Sequence, residues 1–198
     1  MLTAVVLAAG ASTRMGRHKL VLPLGGEPIV RRTVRQVVDA GFDRVLVVVG
    51  NQHEQTISAL EGLPFTPVLN PDFTTGMGSS FRTAVEHLGA SRAALFALAD
   101  QVMVPSTEYR RMRDTYLERG SGIVCARYGN VTAPPHVFDC EFFPELSVLE
   151  HGARSVLERH RDRTVVMQLD PSLLLDIDTP EDYERALAVF ESRRSSEG

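Results

Sequence analysis

Residues 7 to 20 read Leu7-Ala-Ala-Gly-Ala-Ser-Thr-Arg-Met-Gly-Arg-His-Lys-Leu. The small side chains of Ala8, Ala9, Gly10, Ala11 and Ser12 let backbone N–H groups approach an anion, and two cations follow, Arg14 and Lys19. These are the parts of a polyphosphate cradle, and equally of a tight surface turn with solvated charges. No Gly-Lys-Ser/Thr completes a Walker A loop, and no G-x-G-x-x-G marks a dinucleotide site. Composition separates the two readings. Of 21 basic residues, 20 are arginine, and the single lysine is Lys19, three residues after Gly16. A compact ammonium on a flexible stem acts as a point charge beside a crowded phosphate, which a planar guanidinium does less well.

Acidic residues follow two further apolar runs. Leu98-Ala-Asp-Gln places Asp100 at the carboxyl end of a strand pattern, and Asp176-Ile-Asp-Thr-Pro-Glu-Asp places Asp176 and Asp178 on one side of the chain. Hard oxygen donors from two loops, meeting a triphosphate, suit Mg²⁺. A lone Asp at a strand end also serves as a turn or helix cap, and Asp-Ile-Asp matches the D-x-D of sugar transferases. A third segment, Asn70-Pro-Asp-Phe-Thr-Thr-Gly-Met-Gly-Ser-Ser-Phe, reads as a Gly-rich turn opening a helix, whose N-terminus favours an anion.

These loops need a scaffold, and the pattern supplies one. Strand-length apolar runs at Thr3–Ala8, Arg44–Val49, Thr66–Leu69, Ala93–Ala99, Ile123–Arg127, Thr164–Leu169 and Leu173–Asp176 alternate with helical periods. Pro28 opens one helix, Ser79–Leu88 and Ser106–Glu118 form two more, and Thr179 caps a last one with Pro180 at its first position and Asp182 as the capping-box acid. The alternation predicts an α/β fold: a doubly wound, mostly parallel sheet with helices on both faces. Ligands in such sheets bind beyond the carboxyl ends of the strands, which is where these loops fall. One domain over 1–192 is expected, with a disordered tail over 193–198.

Composition narrows the partners. A net charge of −4 argues against a nucleic-acid partner, and no apolar run reaches membrane-spanning length. Cys125 and Cys140 are too few for a disulfide framework, and the N-terminus, lacking a basic segment, reads as a first strand of a cytoplasmic protein. His18, His53, His87, His151 and His160 read as surface residues, and Arg110, Arg111 and Arg113 as a solvated helix face.

Leu7-Ala-Ala-Gly-x-Ser-x-Arg-Met-Gly-x-x-Lys-Leu, continuing to Leu22-Pro-Leu-Gly-Gly, resembles the signature of the NTP transferases, and within them the molybdenum cofactor nucleotidyltransferases, most closely the cytidylyltransferase branch. The resemblance implies a Rossmann-like nucleotidyltransferase fold. It implies nucleotide binding by Leu7, Ala8, Ala9, Gly10, Ala11, Ser12, Arg14, Lys19, Asn70, Gly76, Ser79 and Ser80, catalytic roles for Arg14, Lys19 and Asp100, and a Mg²⁺ ion on Asp100 and Asp178. Ala9-Gly10, where the guanylyl branch has Gly-Gly, implies CTP over GTP.

The implied acceptor is the phosphate of molybdopterin, with a molybdoenzyme apoprotein as a further partner. His136, in the turn-like Ala133-Pro-Pro-His-Val-Phe, and Arg154, in Leu149-Glu-His-Gly-Ala-Arg, are the acceptor-side candidates. The second segment lacks the Gly-Asp pair of the cytidylyl branch. Two other readings stand beside this one: transfer from GTP or onto a sugar or polyol phosphate, and a nucleotide-binding protein without turnover that serves molybdoenzyme maturation.

Overall fold

The computed structural model describes residues 1–196. Its strands are β1 (Leu2–Ala8), β2 (Pro23–Leu24), β3 (Glu27–Pro28), β4 (Arg44–Val49), β5 (Thr66–Leu69), β6 (Ala93–Leu98), β7 (Ile123–Tyr128), β8 (Val131–Asp139) and β9 (Thr164–Leu169). Its helices are α1 (Ile29–Asp39), α2 (His53–Ala59), α3 (Met77–His87), α4 (Ser106–Arg119), α5 (Phe143–Ser147), α6 (Arg154–Arg159) and α7 (Pro180–Ser196). Seven strands form one sheet in the order β5-β4-β1-β6-β8-β7-β9, parallel except for β8. The expected doubly wound α/β sheet is present, and its order turns outward in both directions from β1.

The strands are apolar on both faces because both are covered. Ala4, Val6 and Ala8 of β1 pack with Val47, Leu95 and Ala97 under α1, α4 and α7. Val5, Leu7 and Ala9 point the other way, with Leu46, Phe96 and Phe138, against Phe81 and Ala84 of α3 and Leu146 of α5. Tyr109, Met112 and Tyr116, spaced along one face of α4, are fully buried. The capping box at α7 forms as expected. Thr179 N donates to Asp182 Oδ2 at 2.9 Å, and Asp182 N to Thr179 Oγ1 at 3.2 Å.

Three expectations are corrected. The segment Ala133-Pro-Pro-His-Val-Phe is not a turn but the middle of β8. Prolines argue against a strand because they cannot donate to the ladder. Here they fall where the β7–β8 register shifts, so that Ala133 to Pro135 face only Ala126. Leu173–Asp176 forms no strand. Asp170 accepts from Ser172 N at 2.8 Å to make a 3-10 turn at Pro171–Leu173, and the chain then runs on irregularly toward Asp176. The arginines of α4 are not simply solvated. Arg110 donates to Asp39 O at 2.7 Å, and Arg113 to Ala40 O and Gly41 O at 2.6 Å, filling the carbonyls that end α1. The last helix, α7, runs to Ser196, and residues 197–198 of the expected tail lie outside the described residues.

Among the described residues, no helix is long and apolar enough to cross a membrane. Both cysteines are free, Cys125 buried and Cys140 exposed.

Two imidazoles are buried. His136, 5% exposed on β8, has its pKa pushed down to about 4 by burial, and burial also lowers that of His18. The unfolded chain takes up these protons below about pH 6.5, whereas the folded chain resists, so stability falls as pH falls through that window. For His136 alone the loss at about pH 5 is about 2 kcal/mol. Denaturant melts from pH 7.5 down to 5 should show this decline, and His136→Leu should flatten it. An unchanged profile in that variant would exclude the assignment.

Candidate active site

The carboxyl ends of β1 and β6 open into a cleft of about 450 Å³, walled by the loop after β1, the turn before α3 and the segment before α7. The loop is held by its backbone. Ser12 takes a left-handed conformation (φ 53°), its carbonyl accepts from Met15 N at 3.1 Å, and Asn51 Nδ2 donates to Ala11 O at 3.3 Å. Gly50 allows the close approach beneath. A Cβ there would come within 2.7 Å of Phe73 Cβ and 2.9 Å of Ala9 O.

Lys19 begins a 3-10 turn anchored from both sides. Leu20 is buried, and His18, expected to face solvent, instead lies buried with Nε2 2.9 Å from Thr56 Oγ1 of α2. An imidazole has enough apolar body to fill the gap between turn and helix, and Thr56 satisfies one ring nitrogen. The backbone N–H of Lys19 donates to Ser12 Oγ at 3.4 Å.

The lysine ammonium then reaches two carboxylates from opposite ends of the chain. Nζ lies 2.5 Å from Asp100 Oδ2 and 2.9 Å from Asp178 Oδ1, and Arg14 Nη2 meets the other oxygen of Asp178 at 2.9 Å. Burial works against the Lys19 charge, but Asp100 and then Asp178 outweigh it and raise its pKa. Burial likewise opposes the Asp178 charge, yet Lys19 and Arg14 hold its pKa below the usual carboxylate range. Asp176 lines the same cleft and is shifted upward, by burial first and then by the neighbouring charge of Asp100.

Three carboxylates against two cations leave the cleft with excess negative charge, and Asp100 and Asp178 each turn an oxygen toward the same point, now held by the Lys19 ammonium. That donor set fits a divalent cation. No three His, Cys, Asp or Glu side chains among the described residues form a ready cage, so oxygens of a bound substrate would complete the shell, as is usual for Mg²⁺.

Of the expected nucleotide-side residues, Leu7, Ala8, Ala9, Gly10, Ser12, Arg14, Lys19, Gly76 and Ser80 line the cleft, as does Asp100. Ala11 is exposed beside it. Asn70 and Ser79 lie behind the wall: Asn70 Nδ2 donates to Ser79 Oγ at 2.9 Å and to Ser80 Oγ at 3.1 Å, tying the end of β5 to the first turn of α3. Thr13, Phe73 and Met77 also line the cleft but carried no sequence signal, because apolar and hydroxyl side chains are common everywhere.

His136 and Arg154 do not line this cleft. They border an adjoining cavity of about 1070 Å³ that shares Leu7, Met77 and Leu98 with it. His160, expected at the surface, is half-buried with Nε2 2.7 Å from Glu145.

Replacing Lys19 tests this electrostatic arrangement directly. Lys19→Met leaves three carboxylates facing Arg14 alone. It should cost about 1–2 kcal/mol of stability, discounted for the open cleft, and millimolar Mg²⁺ should raise its melting temperature more than that of the wild type. Equal Mg²⁺ responses would show that the carboxylates do not share one position.

Comparison with known proteins places this geometry. The chain is 31% identical to the purine catabolism protein PucB of Bacillus subtilis, over 92% of this chain and 94% of that one. It is 28% identical to the nicotine blue oxidoreductase of Paenarthrobacter nicotinovorans, over 93% and 96%. Among solved structures it superposes on a nucleotidyl transferase from Methanothermobacter thermautotroptrophicus with a TM-score of 0.84 at 25% identity, covering 98% and 99% of the two chains. It also superposes on Rv0371c of Mycobacterium tuberculosis with a TM-score of 0.81 at 27% identity, covering 94% and 97%. The latter protein is also known in complex with manganese. Residues 4–164 match the MobA-like NTP transferase domain, and the chain belongs to that family.

Proposed function

We propose that this protein is a Mg²⁺-dependent nucleotidyltransferase that moves CMP from CTP onto the phosphate of molybdopterin and releases pyrophosphate. The observation that carries the reading is the Lys19 ammonium held between Asp100 and Asp178 at the mouth of a small-residue loop. Membership of the family supports nucleotidyl transfer; the resemblance of Ala9-Gly10 to the cytidylyl branch supports CTP.

The reaction joins an acceptor phosphate oxygen to the α-phosphorus and breaks the bond from that phosphorus to the β-phosphate bridging oxygen. The acceptor is already anionic, so no general base is needed. The obstacle is charge: two unit charges ~4 Å apart cost about 4 kcal/mol at an effective dielectric of 20. Backbone N–H groups of the loop over Ala8 to Ser12 would hold the β- and γ-phosphates. Lys19, turning from its carboxylates to the α-phosphate, would offset the charge that builds there, and Arg14 at the open rim would stabilise the departing pyrophosphate. Asp100 and Asp178 would hold Mg²⁺, which supplies charge neutralisation between nucleotide and acceptor when bound. Holding both substrates in line supplies much of the remaining acceleration.

Pyrophosphate release with CTP or GTP, against molybdopterin and against sugar and polyol phosphates, tests this reading. CTP with molybdopterin should give the highest kcat/KM, and Lys19→Ala and Asp100→Asn should each lower it by about 10²-fold or more. Turnover with a sugar phosphate alone would move the acceptor class. NTP-dependent thermal stabilisation without pyrophosphate from any acceptor would make the protein a binder. Wild-type rates in Lys19→Ala would remove the phosphate cradle.

A further inference from the structure

The cavity of about 1070 Å³ beside the cleft has more than twice its volume and a different chemistry. Its floor is one face of the sheet: Leu7 and Leu98 at the cleft side, then Phe96, Cys125 and His136, with Val166 on the edge strand β9. Met77 and Phe81 of α3 and Leu157 of α6 wall it, and Val131 at the start of β8 forms the rim. Seven large apolar side chains are exposed among the described residues, and three of them, Met77, Val131 and Val166, border this cavity. Isolated exposed apolar residues need no explanation, but three around one concavity mark a binding surface.

Two polar atoms in the lining, His136 Nδ1 and Arg127 Nε, are buried without a hydrogen bond. His136 is 5% exposed, and its Nδ1 is buried without a hydrogen bond. Arg127, on the same side of β7 as Cys125, has a buried Nε with no acceptor, and no carboxylate pairs with it among the described residues. A buried guanidinium donor left unpaired costs free energy unless a ligand completes it. The register shift between Cys125 and Arg127 is what sets this side chain apart from the regular ladder. Arg127 stands two strands beyond β6, so roughly 10 Å separates it laterally from the strand that carries Asp100. By contrast Arg154, at the cavity mouth, is already paired with Glu158 at 2.9 Å.

We infer that this cavity selects its acceptor by shape and hydrogen bonding together, taking a flat body that presents an acceptor oxygen at the end remote from the cleft, which Arg127 holds. His136 lies between the two ends and reads an uncharged hydrogen-bonding edge of the body. A sugar or polyol phosphate, hydroxylated on every side, would leave the apolar floor without contacts and its own hydroxyls unpaired. The inference rests on the proposed transfer reaction only for which end of the acceptor receives the nucleotide.

The test needs no turnover. The probe is 8-anilinonaphthalene-1-sulfonate, a flat apolar body with one anionic group, titrated by fluorescence, with N-phenyl-1-naphthylamine as its uncharged counterpart. Arg127→Gln should weaken binding of the sulfonate about tenfold and leave the uncharged dye unchanged, and Val166→Asp should weaken both. Arg119→Gln, at the far end of α4, removes the same charge and should change neither. Arg127→Lys, which keeps the charge without the fork, should fall between and serves if Arg127→Gln does not fold. Equal sulfonate binding in Arg127→Gln and wild type, or equal losses in Arg127→Gln and Arg119→Gln, would overturn the inference. Pyrophosphate release with no Arg127-dependent dye binding sinks this inference alone. Arg127-dependent binding in a protein that releases no pyrophosphate supports the cavity and sinks the transfer reaction alone.

Discussion

An ammonium held between two carboxylates is the constraint around which this molecule is arranged. Lys19 comes from a turn after β1, Asp100 from the end of β6 and Asp178 from the entry to α7, so one cation joins points up to 159 residues apart in sequence. Each partner is then fixed by something that is not itself charged. Buried Leu20 and His18 pin the lysine turn, while Ala99 N donates to Leu7 O at 3.1 Å and so carries Asp100 to its place. Asp178 N and Thr179 N both donate to Asp182, which locks the second carboxylate to the start of a helix. A cluster so braced does not relax when one charge is removed, and this is why charge, rather than shape, governs what the cleft can hold.

The same arrangement gives an exchangeable site. Without substrate, Lys19 satisfies two carboxylates that would otherwise repel one another and Asp176. In the proposed reaction a triphosphate would bring its own negative charge and a divalent ion compensation, so the lysine could change partners from carboxylate to phosphate with little net loss. Buried ion pairs are costly when fully desolvated; this one sits at a cleft mouth, where Asp178 stays about a third exposed and the exchange stays accessible.

The two cavities divide the work by composition. The cleft is built from small residues and charge, and the neighbouring cavity from large apolar side chains with two buried polar atoms, His136 Nδ1 and Arg127 Nε, that lack hydrogen bonds. Both open at the same edge because the sheet is parallel around β1, and their shared wall of Leu7, Met77 and Leu98 brings a bound nucleotide beside whatever occupies the larger space. Inserting the one antiparallel strand, β8, creates that larger space. It pushes β7 and β9 outward from β6 and widens the sheet face that α3 and α6 cover only in part.

The amino-acid order alone determined the parallel core, the capped last helix, and the small-residue loop with its single lysine. Each rests on local spacing: continuous apolar runs, a capping box, and small residues followed by two cations. Asp100 and Asp178 were also legible, because acids at the ends of apolar strands must face the loops. What only the tertiary structure decided involves partners distant along the chain. Pro134 and Pro135 could sit inside a strand because the register with β7 slips beside them. His18 could be buried because its Nε2 meets Thr56 Oγ1, 38 residues away in the chain. Asn70 and Ser79 became braces because they found each other. Arg127 stood out only once the fold showed that its Nε is buried with no acceptor. Hydrogen-bond satisfaction and burial are properties of three-dimensional neighbours, and no spacing in the chain encodes them.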